Sequence, residues 1–217
     1  MATKTHSVVF LHGIGAGPNS WSAQIAALPD GFTGSAPNLL DFIGAEGEGF
    51  SLTVVADAVR DLLDQRGIGQ VHLCGLSFGA MVATRFAIDY PERVASLVLS
   101  GGQVRPNPLL MKVQNSIMRV LPARLLTQPG MSKQRMLTIL RSVGETDFRA
   151  ELPQIAAPTL VMCGRRDLPN LAAARELAAS IPAAELQLVP NAGHEWNIHQ
   201  ADEFSRRLNT FYLNQTS

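Results

Sequence analysis

The sequence predicts an α/β protein: a mostly parallel sheet of about six strands, covered by helices on both faces, in one domain spanning residues 1–217. Two observations predict it. Short β-branched apolar runs alternate with longer helix-periodic segments, and that alternation builds βαβ units with right-handed crossovers. The runs are also apolar without interruption, as strands buried on both faces must be. Length and composition agree, since 217 residues at 46% hydrophobic and 17% charged can bury one substantial core.

The strand candidates are Ser7–Leu11, Val71–Leu76, Ala95–Ser100, Pro158–Cys163 and Glu185–Val189, with a weaker one at Phe32–Ala36. Between them lie the helices. Leu52, Val55, Val59, Leu62 and Leu63 make one apolar face, with Ser51 as N-cap and Gly67 as stop. Residues 79–89 form a second helix, closed by Pro91. Leu171, Ala174, Leu177 and Ile181 define a third, with Asn170 as its cap, and Phe204, Leu208 and Phe211 define the last. No internal repeat or low-complexity tract interrupts the pattern.

Residues 103–152 break the rhythm. They hold no strand-like run, and Pro106, Pro108, Pro122 and Pro129 divide them into short helical pieces. Falling between two strands, they read as a small helical insertion. It carries eight basic and three acidic residues, a net +5 on a chain whose formal net charge is zero.

That neutral balance argues against a nucleic-acid partner, which calls for a basic excess. No apolar run approaches the ~20 residues that span a bilayer, and the N-terminus has no secretory pattern, so a cytoplasmic protein is expected. Cys74 and Cys163 lie inside apolar strand runs and read as buried free thiols.

Three residues carry the expected chemistry. Gly75-Leu-Ser77-Phe-Gly79 is a G-x-S-x-G pattern that follows a strand and opens a helix. A serine there is exposed at the carboxyl edge of the sheet. A serine hydroxyl needs a base, and the base needs an acid to orient it. His194 follows the last strand and Asp167 the one before it, 27 residues apart in the chain. A parallel sheet brings all three strand ends to one rim. The backbone N–H groups of Ile14 and Phe78 would hold an oxyanion, Ile14 on the glycine-rich loop Leu11-His-Gly-Ile-Gly15. His12 reads as a hydrogen-bonding anchor for that loop. His72 falls inside a strand, and His6 and His199 match no motif. No zinc or redox spacing is present, so neither a metal nor any other cofactor is expected.

In His12-Gly-Ile-Gly15 with Trp21, Gly75–Gly79, Asp89-Tyr-Pro-Glu-Arg-Val94, Asp167 and Gly193-His194 the chain resembles the α/β-hydrolase superfamily, in its branch of single-domain esterases, lactonases and carbon–carbon bond hydrolases. The likeness runs over nearly the whole chain except the insertion, which corresponds to the family's variable cap. It implies a three-layer α/β-hydrolase fold with a cap at residues 103–152. The first candidate strand leads directly into the oxyanion loop, so the family's first two strands are expected to be missing, leaving a sheet edge exposed. The loop around Asp41 also departs from the family pattern, and His199 stands where an acidic residue is frequent.

The resemblance implies a serine hydrolase cleaving a carboxylic ester, a lactone or a related acyl substrate through an acyl-enzyme. The alternatives are a lyase or synthase in which His194 and Ser77 abstract a proton, and a ligand receptor that retains the triad. Leu109, Leu110, Met111, Met118, Leu121, Leu125, Leu126, Met131, Met136 and Leu140 make the insertion apolar. They suit an apolar acyl or ring-containing small molecule, or they pack the cap on the core. The basic excess either steers an anionic substrate or is a solvated face. A homo-oligomer is left open.

Overall fold

The structure is a computed structural model that describes residues 5–43, 50–106 and 132–215. Six strands form one sheet: β1 (His6–Leu11), β2 (Phe32–Ser35), β3 (Val71–Leu76), β4 (Val94–Ser100), β5 (Thr159–Gly164) and β6 (Ala184–Val189). Their order is β2-β1-β3-β4-β5-β6 and every pairing is parallel. All six expected strands are present, with boundaries within two residues of the expected ones.

Alternation along the strands explains why the runs are apolar throughout. Side chains of successive strand residues point to opposite faces. Val9, Leu11, Leu73, Leu97, Leu99 and Val161 enter one core, while Val8, Phe10, Cys74, Val98, Leu160 and Met162 enter the other. The first core is covered by α2 (Leu52–Gln65), α3 (Phe78–Asp89), α4 (Lys133–Glu145) and α5 (Leu168–Ser180). On the opposite face, α1 (Ser22–Ala26), α6 (Trp196–His199) and α7 (Ala201–Asn214) close the second core, where Trp21, Trp196, Phe204, Phe211 and Tyr212 are buried. The two cysteines are free and lie in different cores, so the sheet itself separates them.

Helix ends follow local chemistry. Ser51 Oγ accepts from Val54 N–H at 3.2 Å to cap α2, and Gly67 at φ +64° ends it. The expectation for α5 needs correcting. Asn170 is not its cap: the helix begins at Leu168, with Asp167 in the N-cap position and Asn170 in the first turn. Pro169 suits a first helical turn because its missing N–H is not needed there. Apolar periodicity could not reveal that turn, since Leu168 is 72% exposed.

Between β4 and β5 the described residues include α4, whose Met136, Ile139, Leu140 and Val143 pack into the first core. Met136 and Leu140 therefore act as packing residues. The remaining apolar insertion residues named above, from Leu109 to Met131, lie outside the described residues. Arg105 and Arg149 pair with Asp147, Arg141 pairs with Glu145, and Arg135 donates to the carbonyls of Leu40 and Ile43.

His72 on β3 is 3% exposed, its Nδ1 2.8 Å from Ser96 Oγ and its ring packed beside His6 and Tyr212. Burial, assisted by the His6 charge, pushes its pKa down to about 4. The unfolded chain then binds a proton below pH 6.5 that the folded chain refuses until about pH 4, so stability falls as the pH is lowered through that window. Between pH 7 and 5 the expected loss from His72 is about 2 kcal/mol. Urea unfolding should show it, and His72→Gln, which does not titrate, should remove most of it.

Candidate active site

Four loops at the carboxyl ends of the strands build the site. The first is the β3–α3 turn. Ser77 sits there at φ 56°, ψ −116°, a left-handed backbone that a non-glycine residue adopts only when its surroundings hold it. Here Ser77 N–H donates to Ser100 C=O at 2.8 Å, and Met81 N–H donates to Ser77 C=O at 3.1 Å. The turn also presses α3 against β1: a Cβ at position 79 would lie 2.0 Å from the Leu11 carbonyl oxygen. Only glycine fits, which is the physical content of the second glycine in the pattern.

The acid and the base come from the loops after β5 and β6, which are tied together by backbone bonds. Arg165 N–H donates to Val189 C=O and Arg166 N–H to Ala192 C=O, both at 2.9 Å. Asp167 N–H turns back to Gly164 C=O, also at 2.9 Å. This lacing brings Asp167 and His194 into contact, with Nδ1 2.7 Å from Oδ2. The Asp167 side chain is 5% exposed and that of His194 38%. The hydrogen bond to Asp167 raises the His194 pKa above 6.5; burial opposes the rise, and the charges of Asp167 and Glu195 add to it.

The Ser100-Gly101 dipeptide at the end of β4 links this pair to the serine turn. Ser100 C=O receives the Ser77 N–H. The next residue, Gly101, turns at φ +60° beneath the imidazole. A Cβ there would lie 2.9 Å from His194 Cε1 and 3.3 Å from Asp167 Oδ2. Ser100 Oγ in turn accepts from Trp196 Nε1–H at 3.0 Å, two residues beyond His194. Among the described residues no hydrogen bond joins the Ser77 hydroxyl to His194.

The fourth loop follows β1. A Cβ on Gly13 would lie 3.4 Å from Ser77 Cβ and 3.9 Å from its Oγ, so this backbone lies directly against the serine. Ala16 N–H to Gly13 C=O at 3.2 Å closes a turn over Ile14 and Gly15. His12 anchors the loop. Its Nε2 accepts from Leu39 N–H at 3.0 Å, which leaves Nδ1–H to donate to Gly13 C=O at 2.9 Å. Burial pushes its pKa down, so the ring stays neutral and both nitrogens are engaged. Phe78 opens α3, where backbone N–H groups have no intrahelical acceptor. Beside the Ile14 turn a cleft of about 520 Å³ opens, lined by Gly15, Gly17, Asn19, Glu195 and Ile198 among others.

Two residues of the site carried no functional signal in the sequence reading. In the sequence, Gly101 is a glycine that follows a strand, with nothing local to mark it. Asn170 looked like a helix cap, yet its Nδ2–H donates to Asp167 Oδ1 at 2.8 Å.

A parallel sheet that carries a strained serine turn, a buried acid–imidazole pair and a glycine loop at one rim is the framework of an α/β-fold hydrolase. The model of the alpha/beta hydrolase family matches residues 8–207, and the chain belongs to that family. Among its relatives, the 2-hydroxy-6-oxo-6-phenylhexa-2,4-dienoate hydrolase of Burkholderia cepacia is 28% identical, over 98% of this chain and 90% of that protein. The protein provisionally named carbamate hydrolase RutD of Serratia proteamaculans is 26% identical, over 93% of this chain and 89% of that protein. Among solved structures, the enol-lactonase of Burkholderia xenovorans LB400 superposes with a TM-score of 0.85 at 22% identity, covering 96% of this chain and 92% of that one. A thermophilic esterase of Thermogutta terrifontis gives a TM-score of 0.85 at 23% identity, over 99% and 92%. At these identities the structural likeness is one of fold.

Among the described residues no helix is long and apolar enough to cross a membrane. Gly101→Ala is expected to cost about 1–2 kcal/mol through its left-handed backbone. Its methyl should also displace the imidazole from Asp167, bringing the His194 pKa down toward 6.5. A melting curve and an NMR titration of the His194 ring check both effects.

Proposed function

We propose that the chain is a serine hydrolase in which Ser77 is the nucleophile, His194 the general base and Asp167 the acid that orients it. The observation that carries this reading is the 2.7 Å Asp167–His194 bond, held on the same Ser100-Gly101 support that anchors the Ser77 turn. His194 Nε2 takes the proton of Ser77 as the hydroxyl attacks a carbonyl carbon. The backbone N–H groups of Ile14 and Phe78 receive the developing oxyanion. The imidazolium then gives its proton to the leaving alkoxide, leaving an ester of Ser77. Water, deprotonated by the same imidazole, releases the acid and restores the hydroxyl.

The substrate class is a carboxylic ester or a lactone with an apolar acyl or ring portion. Relatives named as hydrolases support hydrolytic chemistry, and a serine nucleophile that forms an acyl-enzyme suits an ester or a lactone. Residues 103–152 serve as the cap segment of the family, and the cleft beside Ile14 receives one arm of the substrate. Each of the four insertion arginines described, 105, 135, 141 and 149, already has a protein partner.

Ser77→Ala should lower ester or lactone hydrolysis at least about 10³-fold with the fold retained. A fluorophosphonate should add one mass label to the wild-type chain, at Ser77. Turnover close to wild type in the variant would overturn the mechanism. Proton-abstracting lyase chemistry predicts turnover of the true substrate without an acyl-enzyme, and a receptor predicts binding with negligible turnover.

His194 must be neutral to act as base. With its pKa raised by Asp167, kcat/KM should climb with pH through a value above 6.5. Asp167→Asn removes the charge that raises it, so the climb should move to lower pH while the plateau rate falls by orders of magnitude. A pH–rate profile of both proteins tests this.

A further inference from the structure

An aspartate at a helix N-cap ordinarily turns its carboxylate inward, to accept from a backbone N–H two or three residues ahead. Asp167 occupies that position on α5 but makes no such side-chain bond. Its backbone carbonyl closes the turn, accepting from Asn170 N–H at 3.0 Å. The Asn170 side chain takes the place of the missing backbone donor, with Nδ2–H donating to Oδ1 at 2.8 Å. Oδ2 is thereby left for His194 at 2.7 Å. Each carboxylate oxygen has its own donor, and the plane of the group is fixed.

A primary amide can face a carboxylate with its NH₂ or with its oxygen, and the second arrangement repels. Gln103 decides between them. Its Nε2–H donates to Asn170 Oδ1 and also toward Pro169 C=O, the latter at 3.4 Å. Asn170 must then turn its NH₂ to Asp167. Asn170 Nδ2 also lies 3.2 Å from His194 Nδ1. Both are donors in the neutral-imidazole state, so the contact is not a bond. The amide instead screens that side of Nδ1 and leaves Asp167 Oδ2 as its acceptor. Asn170 is 8% exposed and Asp167 6%, so water is held away from the network.

We propose that Asn170, oriented by Gln103, is a positioning residue that fixes the carboxylate of Asp167 and through it the tautomer and aim of His194. The inference rests on the reading of His194 as general base. Gln103 is the first residue of the segment inserted between β4 and β5, so the alignment of the acid depends on how that segment leaves the sheet.

The test is Asn170→Ala and Gln103→Met in the full chain, read by steady-state kinetics and by NMR titration of the His194 ring. Without the amide, water reaches Oδ1 and the carboxylate can rotate. In Asn170→Ala, kcat should fall roughly tenfold to a hundredfold, with KM changed by less than about twofold. The His194 pKa should move down toward its ordinary value. Gln103→Met frees the amide to reverse and should shift both readouts the same way by smaller amounts.

An unmoved titration in Asn170→Ala, or a raised KM at unchanged kcat, would overturn the proposal. If Asn170→Ala does not fold, Gln103→Met, altered at a half-buried side chain, decides alone, and an unmoved titration there overturns it. The titration needs no substrate. An active Ser77→Ala protein would therefore sink the hydrolase reading without touching this result, and an inactive one beside an unmoved titration would sink the inference alone.

Discussion

A carboxylate as enclosed as that of Asp167 needs donors in place of the water it has lost. Two side chains supply them here, Asn170 at one oxygen and His194 at the other. Much of the surrounding architecture serves that arrangement. The backbone lacing between the loops after β5 and β6 sets their separation. The Pro169 turn starts α5 where the aspartate must stand, and Gly101 leaves the space that a side chain would fill. The raised pKa of the histidine is the electrostatic expression of this enclosure, because the hydrogen bond to Asp167 outweighs the burial that alone would lower it.

The sheet makes such convergence possible. In a parallel sheet every strand ends at the same rim, so residues 90 and 27 positions apart in the chain are brought to one edge, and the loops set the contacts made there. The rim is stiff because the strands beneath it are locked between two cores, one rich in aliphatic side chains and the other in aromatic ones. Stiffness matters at Ser77, whose left-handed backbone persists only while Ser100, Leu11 and α3 hold it.

Much of this was legible in the sequence, for identifiable reasons. Strands buried on both faces leave continuous apolar runs, so all six could be placed. The order of motifs after β3, β5 and β6 was enough to put Ser77, Asp167 and His194 at one rim. Helix starts were less legible, because hydrophobic periodicity reports buried faces and α5 opens with an exposed leucine and a proline. Asn170 stands just before an apolar run, where asparagine normally caps. Nothing local distinguishes that role from bracing an acid three residues earlier. Gly101 is equally silent, since its value lies in an atom it lacks, beside a histidine 93 positions away.

The two histidines nearest the serine turn differ in a way that sequence could only partly anticipate. Both follow strands and both lie beside glycines. His12 has each ring nitrogen engaged by backbone and is held neutral by burial, so it has no free lone pair to offer a reacting hydroxyl. His194 has Nδ1 committed to a carboxylate, is partly open to solvent, and has its basicity raised. The same side chain becomes a strut in one place and a candidate base in the other. The partner of Nδ1 makes the difference: a backbone carbonyl fixes a ring, whereas a buried carboxylate also stabilises the positive charge that the ring acquires when it takes a proton.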